Sequence, residues 1–187
     1  AGHYMKLGRF FKLNSVLGLA YYTDMMWAQR YALENRSFMI DMIELSLGVT
    51  VNRDTFINEN HNHAAVRGDN TVIHRKGATP AEKGQLGLIP GNMRDGVYVT
   101  RGLGNEEFLH SASHGAGRLM SRTKAKKTLD LTEFQRQMEH VCTGRLGKHD
   151  IDEAPNAYKP IDQVIERQDG IVVDVIDHIK PIINVKG

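Results

Sequence analysis

Cysteine is nearly missing from this chain of 187 residues. Cys142 stands alone, so no disulfide can form within the chain. That usage fits a reducing compartment, and the cytoplasm is the expected location. Cys142 itself reads as a small buried apolar residue. Long apolar runs are lacking too, so neither a signal peptide nor a membrane span is expected. An excess of charge of one sign is also absent. The 24 Lys and Arg stand against 22 Asp and Glu, a net charge of +2, so bulk charge does not announce a nucleic-acid binder. There is no low-complexity tract and no internal repeat.

What remains is enough for one sizeable core, since 41% of the residues are hydrophobic. From Asn14 or Ser15 to Leu47 the spacing predicts a helix. Leu19, Tyr22, Met25, Met26, Tyr31, Leu33, Phe38, Met42 and Leu45 recur at close to a three-to-four spacing. Ser15 is placed to cap its start and Gly48 its end, with Gly18 tending to delay the start. The Met and aromatic stripe is expected to pack into the core. Val66 to His74 and Val97 to Arg101 read as short strands, with Gly84, Gly87, Pro90-Gly91 and Gly102 to Gly104 punctuating loops. Thr132 to His140 reads as a helix capped by Asp130, with Glu133 three residues on. Ile161 to Arg167 is another. Ile171 to Ile176 and Ile182 to Val185 suit a helix or strands. The mixture is α+β, with loops carrying the chemistry.

The chemistry concentrates at Ser113-His114-Gly115-Ala116-Gly117-Arg118. One imidazole stands beside a turn of small residues, whose amides can approach phosphate oxygens closely. Arg118, Arg122 and Lys124 add positive charge nearby. A histidine that attacks a nucleotide phosphate requires this set. An ordinary tight turn with a capping or core histidine would also produce it. The run Arg118 to Lys127 holds five cations and no acid. It suits either a solvated helix face or a phosphate-binding patch.

Further blocks surround that motif in a definite order. His74-Arg75-Lys76-Gly-Ala-Thr-Pro-Ala comes first, then Gly-Leu-Ile-Pro90-Gly91-Asn92-Met93, then Arg101-Gly-Leu-Gly-Asn-Glu-Glu, then the His114 motif. Later come Asp152-Glu-Ala-Pro-Asn-Ala-Tyr158-Lys-Pro-Ile-Asp and the ending Val185-Lys186-Gly187. In this order the blocks resemble the RtcB family of RNA ligases, from about Tyr22 to the last residue. The resemblance implies mixed β-sheets with flanking helices and one long N-terminal helix, in which Tyr22 to Met39 buttresses the active site. It implies that residues 1–187 are a single domain, the carboxy-terminal portion of a longer ligase domain.

The resemblance also assigns roles. His114 would attack GTP and carry GMP covalently, splitting one hard transfer into easier ones. Gly115, Ala116 and Gly117 would hold the nucleotide through their backbone. Pro90, Gly91, Asn92 and Met93 match the family's Pro-Gly-Ser-Met nucleotide loop, with Asn92 in place of serine and Arg94 where glycine is usual. A serine that contacts GTP in relatives falls near Val97. The ring of Tyr158 would stack on the purine, and Lys186 would reach the guanine. In Asn60-His61-Asn62-His63 the family's His-Asn pair matches His61, a Mn²⁺ ligand, and Asn62, a GTP contact; His63 is not expected by the pattern. His74 would orient a ligand. Arg75, Lys76, Arg118 and Arg122 would meet RNA or nucleotide phosphates, although surface salt bridges suit Arg75 and Lys76 equally well.

The family's bridging cysteine, its acidic neighbour and two further metal histidines match nothing in this chain. GTP and Mn²⁺ are therefore the implied small-molecule partners, RNA the implied macromolecule, and an upstream half the implied completion of the metal centre. The implied reaction joins an RNA 3′-phosphate, or 2′,3′-cyclic phosphate, to a 5′-hydroxyl, in transfer-RNA splicing or RNA repair. A non-catalytic nucleotide- or RNA-binding module is the alternative, and another nucleotidyl or phosphoryl transferase sharing the turn is a third.

Overall fold

The computed structural model describes residues 11–68 and 71–185. Within them the chain forms two compact units. One takes in residues 11–58 and 63–74, the other 59–62 and 75–185.

In the first unit α1 spans Val16–Leu47. Ser15 caps it as its side chain accepts from the Gly18 amide at 3.1 Å, which satisfies one of the orphan donors of the first turn. Gly18 lies inside the helix and does not delay it. At the other end Gly48 turns left-handed (φ +63°) and its amide returns to the Glu44 carbonyl. Arg53, just beyond, bridges Asp41 at 2.6 Å and also pairs with Glu44. The expected core packing of the stripe needs correction. Leu19, Met26, Tyr31, Phe38, Met42 and Leu45 are all exposed, and Gly18 is the one buried residue of the helix. A helical period says which side chains share a face, not what covers it.

Strands β1 (Asn62–Val66) and β2 (Val72–Lys76) pair in a two-stranded sheet. The single strand expected over Val66 to His74 is thus two. The Arg67 amide donates to the Thr71 carbonyl at 2.9 Å between them. Within the first unit, the Ala64 amide lies 3.2 Å from the Met25 sulfur.

The second unit holds the remaining sheets. β3 (Ala78–Pro80) pairs antiparallel with β6 (Ser111–Ser113). β4 (Leu86–Pro90), β5 (Val97–Gly102) and β8 (Val173–Ile179) form an antiparallel sheet in that order, with a register shift between Val99 and Thr100. β-branched residues decide for a strand at β8. Gly87 lies within β4 and not in a loop, because a side chain there would crowd the Thr100 hydroxyl, 3.3 Å from the position of a Cβ. β7 (Cys142–Thr143) pairs parallel with β9 (Ile183–Asn184). Cys142 is exposed and not buried, since β7 is only two residues long and has one partner strand.

Helices α2 (Arg122–Thr128), α3 (Leu131–Gln137) and α4 (Ile161–Glu166) complete the unit. Ser121 caps α2 and Asp130 caps α3, its carboxylate accepting from the Glu133 amide. Two apolar clusters carry the packing. Ile89, Ala112, Ala116, Ile161, Ile165 and Val173 belong to the first; Met93, Phe134, Met138, Val141, Ile151 and Ala154 form the second. The fold is α+β, as the sequence reading expects.

Candidate active site

Strand pairing builds the core of the site. The β3–β6 register sets Ala78 opposite Ser113. One step outward it brings Gly77 up to His114. Gly77 is left-handed (φ +69°), and a Cβ on it would lie 3.4 Å from the His114 ring. His114 Nδ1 is 2.7 Å from the Gly77 carbonyl oxygen. A carbonyl only accepts, so Nδ1 carries the hydrogen, and in the neutral ring Nε2 keeps its lone pair. The ring is exposed and stacks on His61, with centroids 5.1 Å apart and planes 17° from parallel. The Gly77 amide in turn donates to the His61 carbonyl at 2.8 Å and lies 3.2 Å from Asn62 Oδ1. Three of the expected residues, His61, Asn62 and His114, thus converge on a glycine to which no role was given. Its signal was present as the glycine closing Arg75-Lys76-Gly77.

A direct check follows. Nitrogen NMR of the neutral His114 ring is expected to show the hydrogen on Nδ1. Gly77→Ala, strained by about 1 kcal/mol or more in the left-handed region, is expected to erode that preference. A ring already protonated on Nε2 in the parent chain would contradict the arrangement.

The turn after His114 is clamped from the other side. The Ala116 amide donates to the Pro90 carbonyl at 2.9 Å, and the Ala116 side chain is buried in the first cluster. Its N–H is therefore committed. Among the described residues those of Gly115 and Gly117 have no acceptor, and these are the turn's two open donors. Beyond Pro90, the Asn92 side chain caps its own loop, accepting from the Arg94 and Asp95 amides at 3.0 Å each and donating to Asp95 at 2.7 Å. Burial opposes ionisation of Asp95, but hydrogen bonds from Arg94 and Asn92 outweigh it and hold the carboxyl low. Gly91 is buried against Ile161, and Met93 anchors the loop in the second cluster. Val97 pairs with Pro90 and Ile179 in the sheet. Asn92, Arg94, Tyr158, Lys159 and Asp162 border a cavity of about 430 Å³, within the range of nucleotide pockets.

Tyr158 reaches that cavity under constraint. The Arg118 guanidinium lies 4.8 Å from its ring centroid, so one ring face is already covered. The phenol donates to Glu153 and accepts from Arg118 at 3.0 Å. Burial and the bond to Glu153 push its pKa up, so it stays neutral. Arg118 also donates to the Asp152 carbonyl. Arg122 pairs with Asp152 at 2.7 Å and with Glu153, and Lys126 lies 3.4 Å from Asp152. Three cations of the basic run are therefore paired with two acids that the sequence reading quoted without a role. The hydrogen bond from Arg122, assisted by Lys126 against burial, holds the Asp152 carboxyl below its ordinary range. A depressed carboxyl stabilises the fold above the ordinary carboxylate pKa and loses that contribution as pH falls through it. Thermal melts from neutral pH to about pH 3 should therefore fall more steeply for the parent chain than for Asp152→Asn; parallel curves would sink this account.

Arg75 turns inward and is buried. Its Nε donates to the Ser111 hydroxyl at 2.9 Å, and its terminal nitrogen lies 3.3 and 3.2 Å from the Leu109 and His110 carbonyls. Lys76 is exposed. His74 belongs to the first unit, where it lines an apolar cavity with Tyr21, Tyr22 and Ala64. Lys186 lies outside the described residues. Among the described residues no three His, Cys, Asp or Glu side chains gather as a metal site. No helix among them is long and apolar enough to cross a membrane.

Comparison with known proteins identifies relatives of the chain. The profile of the family described as tRNA-splicing ligase RtcB matches residues 9–187. The RNA-splicing ligase RtcB of Escherichia coli K12 is 38% identical, over 91% of this chain and 45% of the relative. The RNA-splicing ligase RtcB of Mycobacterium tuberculosis is 28% identical, over 82% of this chain and 41% of the relative. The tRNA-splicing ligase RtcB of Methanocaldococcus jannaschii is 36% identical, over 51% of this chain and 12% of the relative. The chain spans less than half the length of each.

Proposed function

We propose a function from one premise: the chain belongs to the RtcB family, whose profile covers it from residue 9 to residue 187. It is the carboxy-terminal part of a ligase domain that joins an RNA 3′-phosphate, or 2′,3′-cyclic phosphate, to a 5′-hydroxyl, using GTP. The observation that carries this reading is His114, with Nδ1 engaged by Gly77 and the Nε2 lone pair free to attack.

Nε2 attacks the α-phosphorus of GTP. An N–P bond forms, the bridging P–O bond breaks and pyrophosphate leaves. The Gly77 carbonyl, still bonded to Nδ1–H, stabilises the positive charge that grows on the ring. The open amides of Gly115 and Gly117 are donors for phosphate oxygens. An oxygen of the RNA 3′-phosphate then displaces His114 from the phosphorus, moving GMP to the RNA. The 5′-hydroxyl next attacks the RNA phosphorus, forming the phosphodiester and releasing GMP.

Mn²⁺ is the metal this family membership suggests, and it would supply Lewis-acid neutralisation of phosphate charge. His61 is this chain's candidate ligand. The described residues do not fit a complete site, and no step above is routed through the metal. That observation favours a second reading, a module that binds GTP or RNA without covalent transfer. Incubating the purified chain with Mn²⁺ and α-labelled GTP decides between them. An acid-labile label supports the ligase reading. Binding without a label supports the module.

A further inference from the structure

We propose that a trough beside His114, bordered by Phe108 and Arg167, holds the end of a single-stranded RNA. The proposal deepens the ligase reading and rests on it for the kind of polymer.

Two cavities meet at Ser113, the residue before the candidate nucleophile. One, of about 390 Å³, is bordered by Gly77, Phe108, Ser113, Arg167 and Gln168. The other, of about 380 Å³, is bordered by Ser113, Lys159, Gln163, Arg167 and Gln168. The Ser113 amide donates to Gln168 Oε1 at 2.8 Å between them. Arg167 is the only ionisable residue bordering the first cavity, and Lys159 joins it in the second; no acid borders either. Among the described residues neither cation has an ion pair or hydrogen-bonding side-chain partner. This contrasts with Arg75, Arg118 and Arg122, whose guanidinium groups bind within the protein. The unpaired cations bordering these two cavities are therefore Arg167 and Lys159.

The segment that follows Phe108 is held in a costly conformation. Leu109 and His110 are consecutive left-handed residues (φ 51° and 50°), and neither is glycine. Such strain persists only where surrounding structure fixes it. Buried Arg75 holds both carbonyls, the His110 carbonyl also accepts from the Ala81 amide, and the His110 ring pairs with Glu82 at 3.0 Å. The result is that Phe108 stands about half exposed, 52%, at the edge of the first cavity. An exposed ring and an unpaired guanidinium bordering one cavity are the groups that stack a base and hold its phosphate. The cavity bordered by Asn92 and Tyr158 has mixed charge and adjoins the second of these cavities at Lys159.

The test uses the full chain and a short, fluorescein-labelled single-stranded RNA with a 3′-phosphate, read by anisotropy. Phe108→Ala and Arg167→Gln are each expected to weaken binding about tenfold. Arg167→Gln is further expected to reduce the salt dependence by about one phosphate contact, a slope change near 0.7 that Phe108→Ala leaves alone. Arg167→Lys, which keeps the charge, should retain most of the affinity. Parent affinity in both variants, or no RNA binding by the parent chain, overturns the proposal. GMP labelling of the parent chain is read in parallel. Binding lost in the variants while the parent never labels leaves the trough standing and removes the ligase reading instead.

Discussion

Replacing His114 by alanine is expected to lower covalent GMP labelling by at least about a thousandfold, to background. The argument is geometric. The Nε2 lone pair is defined because Gly77 occupies Nδ1, and the neighbouring His61 ring stacks on it with centroids 5.1 Å apart. His61→Ala should therefore reduce labelling, by loss of the stacked ring and of a candidate metal ligand, without eliminating an acid-labile adduct. The measurement is the ratio of acid-labile label in the two variants and the parent. Persistent label in His114→Ala would refute the nucleophile; complete loss in both would mean that the two rings act as a unit.

The second large effect is on stability. Phe134 is 1% exposed and lies at the centre of the cluster that also holds Met93. Truncation to alanine removes its transfer free energy and leaves a cavity, at a cost of about 3–5 kcal/mol. That is a large share of the 5–15 kcal/mol typical of a domain. Phe134→Leu, which keeps most of the volume, should cost far less. Urea unfolding followed by circular dichroism measures both. A change below about 1 kcal/mol for the alanine variant would show that the cluster closes over the gap. Because Met93 shares the cluster, the Pro90–Met93 loop should loosen with it, and GTP binding by Phe134→Ala should weaken even below its melting temperature.

How far the sequence reveals these features depends on how local their causes are. The caps at Ser15, Gly48 and Asp130 were legible because each is made by side chains or backbone within a few residues. The break between Val66 and Val72 was signalled by Gly68-Asp69-Asn70, a turn composition that the apolar pattern around it obscured. Exposure of α1 was not legible, because burial is settled by non-local neighbours. The inward turn of Arg75 depends on carbonyls more than thirty residues away. Pairing of the basic run with Asp152 and Glu153 had a faint signal, two adjacent acids at the start of a proline-containing block. The meeting of His61 and His114 was suggested by family resemblance alone; the β3–β6 register that produces it is a tertiary fact. Phe108 and Arg167 had no signal, since one exposed aromatic and one helix-end arginine are ordinary in any sequence.

The ion pairs around Asp152 also bear on how quickly a charged polymer finds this surface. The five cations of the run Arg118 to Lys127 stand against two carboxylates, Asp152 and Glu153, which pair with Arg118, Arg122 and Lys126 and lower the patch from five units of positive charge to three. Opposite charges a few ångströms apart act as a weak multipole at distances beyond the physiological Debye length of about 8 Å. The densest basic stretch of the chain therefore steers a polyanion less than its five cations suggest, and Lys124 and Lys127 carry what the pairing does not cancel. Dense positive charge in a sequence and attraction felt at a distance are separable properties, and this fold separates them.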